Sequence, residues 1–571
     1  MTQRLALLVL LALLLATAAT ADVRFLTDTA RSELTDGRRS LDLVTWELAD
    51  GLLVLDRRGP GARALPGEPF APRFDDAEWY LVDHTHPRHS GDTATPADFG
   101  HVHLTTPRAW LVEVPRDRLD AFLAAGFCLQ YLDLSPVAAV PAPARRAAPA
   151  PTVVDPAVKQ AYVDGLDQQA FNQLIREISG DTPLWFDGAA HTIRTRYYNT
   201  ADNALAADYM AQKLVDYGYT VAFDEFTVNG NLCRNVVATR VGTVNPDEIV
   251  VVGGHYDSTS QQAGSTAPGA EDNGSGTSLV MEIARASAGR QFERTVKFVL
   301  FDAEEVGLRG SQHFVAESLA SGDDIIAAIT ADMVAFWEDD YGVRIEGETE
   351  WEWLMTAMGQ NVDAVTDIAY RKDYDSWGSD HVPFQQAGIA AFLAIDWDWD
   401  QYPYYHRTTD TWSNIAATAP LGLQITRAAA ATLADVAGLV AMTTDAPAPA
   451  TALVRLSAQP NPFNPLTTLA FSLDVPASGE LIIHDLSGRK LATVARGDFL
   501  AGRHTVRWDG ADQKGRAVPS GVYIARLSTT AGAASLTLNL VRRGRTASSA
   551  LSPSGCRPPA DSSLALGTAG H

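Results

Sequence analysis

The stretch Glu248–Ser258, EIVVVGGHYDS, sets an apolar run and two glycines ahead of a histidine and an aspartate. A short β-branched run of this kind reads as a strand buried on both faces, with His255 and Asp257 at its carboxyl end. The arrangement recurs down the chain. TVKFVLF (295–301) precedes Asp302, Glu304 and Glu305, IIAAITA (325–331) precedes Asp332, and AAFLAI (390–395) precedes an aromatic loop that holds His406. Helical patterns lie between the runs. In NALAADYMAQKLVDYGYTV (203–221), Leu205, Tyr209, Leu214 and Val215 recur at helical spacing and Gly218 sits where a helix stops. This alternation predicts an α/β fold, a mostly parallel mixed sheet flanked by helices. Ligands of such sheets bind beyond the carboxyl ends of the strands. Four strands therefore deliver metal-competent groups to one edge.

PGAEDNGSG (268–276) adds Asp272 beside them, in a turn that opens a helix. Two divalent ions held close together need a carboxylate between them, one or two further nitrogen or oxygen ligands each, and an open position for water. One bridging Asp, two His, a second Asp and a Glu meet that need. A further Glu beside the ligand Glu is left free to act as general base. Asp257, two residues after His255, can accept the other ring N–H and fix the tautomer.

The whole chain bounds the reading. Its 571 residues exceed what one core can organise. The formal net charge of -24 argues against a nucleic-acid partner and suits cation binding. Arg4, the apolar run Leu5–Ala16 and the small residues through Ala21 read as a secretory leader, residues 1–21, and no later segment is apolar for long enough to span a membrane. Secretion to the bacterial exterior or cell surface is expected. The three cysteines, Cys128, Cys233 and Cys556, are too scattered for a disulfide framework or a cysteine zinc site. Pro/Ala-rich stretches at 135–156 and 445–452 read as linkers. They separate a small α/β block (22–134), the central block (157–444) and a block of short alternating strands (453–543) expected to form an antiparallel sandwich. A disordered tail (544–571) follows. The first block is an accessory domain or an inhibitory propeptide, since it lies between leader and enzyme on a cleavable-looking linker.

The central block resembles the M28 family of co-catalytic zinc peptidases, mostly aminopeptidases. The stretches that carry the resemblance are GGHYDS, PGAEDNGSG, DAEEVGLRGS, TADM, GSDHVPF and YYHRTTDT, in that order. It implies two zinc ions: His255 and Asp332 as ligands of the first, Glu305 and His406 of the second, and Asp272 as the bridge. It further implies Glu304 as catalytic base and Asp257 as the orienter of His255. The family often has Asp-Asp where this chain has Glu271-Asp272. The place of a carbonyl-polarising Tyr found in some members falls at Ser376, with Tyr374 nearby. The implied function is removal of N-terminal residues from peptides. A carboxypeptidase or glutaminyl cyclase on the same fold, or a catalytically silent surface binding protein, are the alternatives. The aromatic and acidic loops WEDDY (337–341) and DWDWDQYPYY (396–405) suggest a substrate pocket drawn from Trp337, Tyr374, Asp380 and Tyr405, selective for large apolar first residues. The third block resembles the FlgD-type immunoglobulin-like module, which implies contact with a cell surface or secretion machinery.

Overall fold

The computed structural model describes residues 22–27, 43–48, 51–56, most of 70–134, 154–441 apart from 375–377, and most of 455–542. The expected leader, the tail, Ser376 and nearly all of both linkers lie outside the described residues. The chain divides into two units, one reaching Met442 and the other beginning at Thr443.

An eight-stranded sheet forms the spine of the first unit. Across it the strands run Thr220–Val228, Asn231–Arg240, Arg294–Phe301, Asn245–His255, Asp324–Ala331, Ala391–Asp396, Gly342–Gly347 and Ala369–Asp373. The middle four are parallel, while the flanking strands pair with them antiparallel. The apolar runs are buried on both faces because helices cover both, as a parallel sheet requires. Register then fixes where the strands stop. His255 pairs with Phe301, Gly253 with Thr330 and Ala331 with Ala394, so the segments leaving these strands emerge level with one another.

The helix Gly274–Ala286 leaves the PGAEDNGSG turn, capped by the Asn273 side chain accepting from Gly276 N at 2.8 Å. It packs so near the sheet that a Cβ on Gly276 would lie 2.5 Å from the Ala331 carbonyl oxygen. Only glycine allows that approach. The helix Ala201–Asp216 forms as expected, ending before Gly218 at φ +90. The Ala-rich helix Pro420–Ala437 packs against Glu352–Val365.

In the N-terminal block a four-stranded antiparallel sheet runs His101–Thr105, Ala109–Pro115, Ala77–Asp83, Cys128–Leu132, with the short helix Leu119–Leu123 before its last strand. The second unit contains two antiparallel sheets, of three and four strands, around a core that includes Phe471, Trp508 and Tyr523. His504 stacks on Phe471 there, and the strand Thr467–Leu473 buries Leu469, Phe471 and Leu473 at every second position. No helix among the described residues is long and apolar enough to cross a membrane.

Candidate metal centre

His255, Asp272, Glu304, Glu305, Asp332 and His406 converge at one cleft, whereas Asp302 turns away from it to accept from Asn203 Nδ2 and the Arg234 N–H. Asp272 divides its carboxylate between two imidazoles: Oδ1 lies 3.4 Å from His255 Nε2 and Oδ2 lies 3.1 Å from His406 Nε2. His255 Nε2 is also 3.3 Å from Asp332 Oδ1, and His406 Nε2 is 2.9 Å from Glu305 Oε2. Glu304 Oε2 stands further off, 3.9 Å from His255 Nε2. Two ligands of a tetrahedral zinc with bonds of about 2.1 Å sit about 3.4 Å apart. The donor atoms approach that spacing around His255 and around His406, so the residues fit a bound cation, and two overlapping triads, His255–Glu304–Asp332 and His255–Asp272–Glu305, are compact enough to hold one.

Neighbouring groups hold these donors in place. Asp257 faces His255 Nδ1, with Oδ1 at 3.4 Å and its carbonyl at 3.2 Å, while its two carboxylate oxygens accept the backbone N–H groups of Glu304 and Glu305 at 3.0 and 3.2 Å. One side chain thus orients a ligand and anchors the next strand's loop. Glu305 Oε1 accepts from Thr259 N, and Asp332 Oδ2 from Ser379 Oγ. Backbone strain gathers here too: Ala303, Met333 and His406 all have positive φ (58, 45 and 53). Left-handed backbone at non-glycine positions persists where the surroundings enforce it.

Two positioning groups escaped the sequence reading. Asp410, within YYHRTTDT, accepts the N–H groups of Glu271 and Asp272 at 2.9 and 3.0 Å and the Tyr402 hydroxyl at 2.6 Å. Arg196 is completely buried and donates to the carbonyls of Ile178, Tyr256, Pro268 and Gly269 at 2.6–2.8 Å. It ties together both ends of the loop that carries Asp257 and Asp272. No periodicity marks either residue; only their linking of distant segments reveals them.

Electrostatics agrees with the geometry. Burial raises the Glu304 carboxyl well above the usual range, and burial together with Asp272 pushes Glu305 to about 7. Burial opposes charge on His406, yet Glu305 and Asp272 outweigh it and push the imidazole up to about 10. Burial likewise works against the Asp272 charge, but His406 and His255 hold its carboxyl below the ordinary value. Burial pulls Arg196 down to about 10 although four carboxylates surround it. This much buried acid with so little cationic side chain is an arrangement that positive ions stabilise.

Beside the metal donors the cleft is walled by Met333, Leu393, Ile395, Trp399 and Tyr405, with Glu346 and Ser379 among them. Tyr405 stacks on His406 at 3.8 Å. The other three residues suggested for the substrate pocket do not line it. Tyr374 leaves an edge strand, is exposed, and donates to Glu352. Trp337 packs edge-on against Tyr341 beside the core. Asp380 is buried behind the cleft, where burial pushes its carboxyl to about 7. Strand-end loops diverge once past the sheet, so sharing an edge did not carry these side chains into the cleft.

Comparison with known proteins decides the family. Residues 235–431 match Peptidase family M28, and residues 464–533 match the FlgD Ig-like domain. The central block is an M28 peptidase domain. Similar curated proteins include the aminopeptidase YwaD of Bacillus subtilis, 32% identical over 30% of this chain and 38% of its own length. A probable zinc metalloprotease of Pyricularia oryzae is 28% identical over 38% of this chain and 54% of its own. The chain thus spans 38% and 54% of the length of these two relatives. A crystal structure of the LapA aminopeptidase of Legionella pneumophila aligns with 63% of this chain and 98% of that one, at 16% identity and a TM-score of 0.50. That likeness supports the fold. M28 peptidases are hydrolases, and the Pyricularia oryzae relative carries zinc metalloprotease in its name.

Proposed function

We propose that the chain is a secreted aminopeptidase that removes N-terminal residues from peptides at a site holding two zinc ions. The carrying observation is the divided carboxylate of Asp272, one oxygen toward each imidazole at zinc-ligand spacing. His255, Asp272 and Asp332 would hold one ion, and Asp272, Glu305 and His406 the other. Bound there, the pair supplies Lewis acidity at the scissile carbonyl and acidifies a water at neutral pH. Glu304, next to the donors without being one of them, takes the water's proton and passes it to the leaving amine. Asp257 keeps His255 in the tautomer whose Nε2 lone pair faces the cation. Met333, Leu393, Ile395 and Trp399 offer an apolar wall to the first side chain, which favours large apolar residues there. Export rests on the leader-like residues 1–21, and surface contact on the FlgD Ig-like domain.

Zinc content measured alongside hydrolysis of leucyl p-nitroanilide tests the reading. Two zinc per chain with chelator-sensitive turnover is expected, and a zinc-loaded protein that hydrolyses no free-amine substrate, either intact or cut between the N-terminal and central blocks, would sink it. Equal turnover of alanyl, aspartyl and leucyl substrates would remove the side-chain preference alone.

A further inference from the structure

Arg309 opens the helix Arg309–Ala320 just beyond the Glu304–Glu305 loop. Its partners belong to the N-terminal block. The guanidinium donates to Glu78 Oε2 and, at 2.9 Å, to the Tyr80 hydroxyl, and its Cζ lies 3.2 Å over the Tyr131 ring. Glu78 and Arg309 are both buried at about a tenth exposed. The backbones meet as well. Tyr131 N donates to Gly307 O at 3.1 Å, and Tyr131 O accepts from Gln312 Nε2 at 3.0 Å. Gly307 has φ +110, and a Cβ there would come within 2.8 Å of Tyr131 N. The loop that presents Glu304 is therefore shaped to receive Tyr131. Phe122 and Phe127 share one apolar cluster with Tyr198, Val228, Ala303 and Val306 across the seam.

This seating brings Phe127, Cys128 and Leu129 into the lining of the metal cleft, opposite Glu304, Glu305 and His406. Gly126 is so near that a Cβ on it would lie 3.9 Å from His406 Nδ1. The volume left open to the centre of a water is about 40 Å³, room for roughly three waters. Small-molecule pockets run to about 300 Å³ or more.

We propose that the N-terminal block is an inhibitor built into the chain, with its 126–129 turn closing the cleft and the Arg309 clasp holding it there. The inference rests on the peptidase reading above. Burying a charged pair this deeply makes the clasp sensitive to the loss of either partner, and the Pro/Ala-rich stretch 135–156 is where a cut would free the block.

The test uses the full zinc-loaded chain, its Glu78→Lys variant, and the variant cut at a protease sequence inserted within 141–150. Leucyl p-nitroanilide hydrolysis and the rate of Cys128 alkylation by iodoacetamide, read by peptide mass, are measured on each. Both should rise at least tenfold in Glu78→Lys and further on cutting. The charge-reversed pair Glu78→Lys with Arg309→Glu should bring both back toward the wild-type values. Hydrolysis equal in all forms overturns the inhibition, and alkylation equal in all forms overturns the closure. A double variant that behaves like the single one assigns the rise to misfolding and overturns the clasp. Faster alkylation with no hydrolysis in any form upholds the closure and sinks the peptidase reading instead.

Discussion

Asp410 in the peptidase domain and Asp512 in the C-terminal sandwich accept the same kind of backbone hydrogen bond, the first from a distant segment and the second from its own turn. Each holds a turn by accepting two backbone N–H groups: Glu271 and Asp272 for the first, Lys514 and Arg516 for the second, all near 2.9 Å. Their titration departs in opposite directions. The donors, led by the Arg516 N–H, hold the Asp512 carboxyl below the ordinary value at the surface. Burial pushes Asp410 up to about 6 against the same kind of donors, Tyr402 foremost. A hydrogen-bonded carboxylate stabilises a turn where water reaches it, whereas among other buried acids it adds to a charge that needs a cation. Peptidase domain and sandwich are both acidic at their turns; burial is what turns acids into a site.

That contrast can be broken most forcefully at Glu304. Glu304→Gln removes a buried charge without changing shape, so about a 10³-fold loss of kcat is expected, with zinc content unchanged and stability equal or higher. A turnover near wild type would remove Glu304 from the base role. Asp410→Asn keeps the shape of the turn but weakens the grip on the Asp272 backbone, and should lower zinc affinity or kcat/KM about 10- to 100-fold. Competition with a chelator reads the affinity.

Metal removal sharpens the comparison through pH. In the chelated protein, Asp410 and Glu305 titrate near 6 and 7, while in the unfolded chain they titrate near 4. Between these values the folded state holds protons that the unfolded state has released. Their contribution to stability is therefore present at low pH and lost as pH rises through the folded values. The rise in melting temperature caused by zinc should thus grow from about pH 5 to about pH 7. A constant zinc effect across that range would contradict the assignment. The smallest effect is expected at Asp512→Asn: a slight loss in the melting of the second unit, with hydrolysis unchanged.

How legible the site was follows from the kind of signal each residue carries. Strand ends were readable because an apolar run stops where the first polar ligand begins, as at His255 and Asp332, and the register of parallel strands then levels them. Arg196 and Asp410 act across distant segments and leave no local pattern. Trp337 and Tyr374 failed for the converse reason, since aromatic loops after strands look alike in sequence while their directions are settled by packing. The seating of Phe127, Cys128 and Leu129 beside the metal donors left no sequence signal, because the Glu78–Arg309 contact joins positions with no sequence relationship.

Asn273 stitches two of the loops together: its amide donates to the Ala331 carbonyl at 3.0 Å, and its oxygen accepts from Gly276 N and Met333 N. It sits one residue from Asp272 and its contacts bracket Asp332. The two carboxylates are thus mechanically coupled, and a shift at Asp332 is handed to Asp272, the residue proposed to serve both ions. The pair should load and empty as a unit, so that intermediate zinc levels yield a mixture of full and empty molecules in preference to half-filled ones.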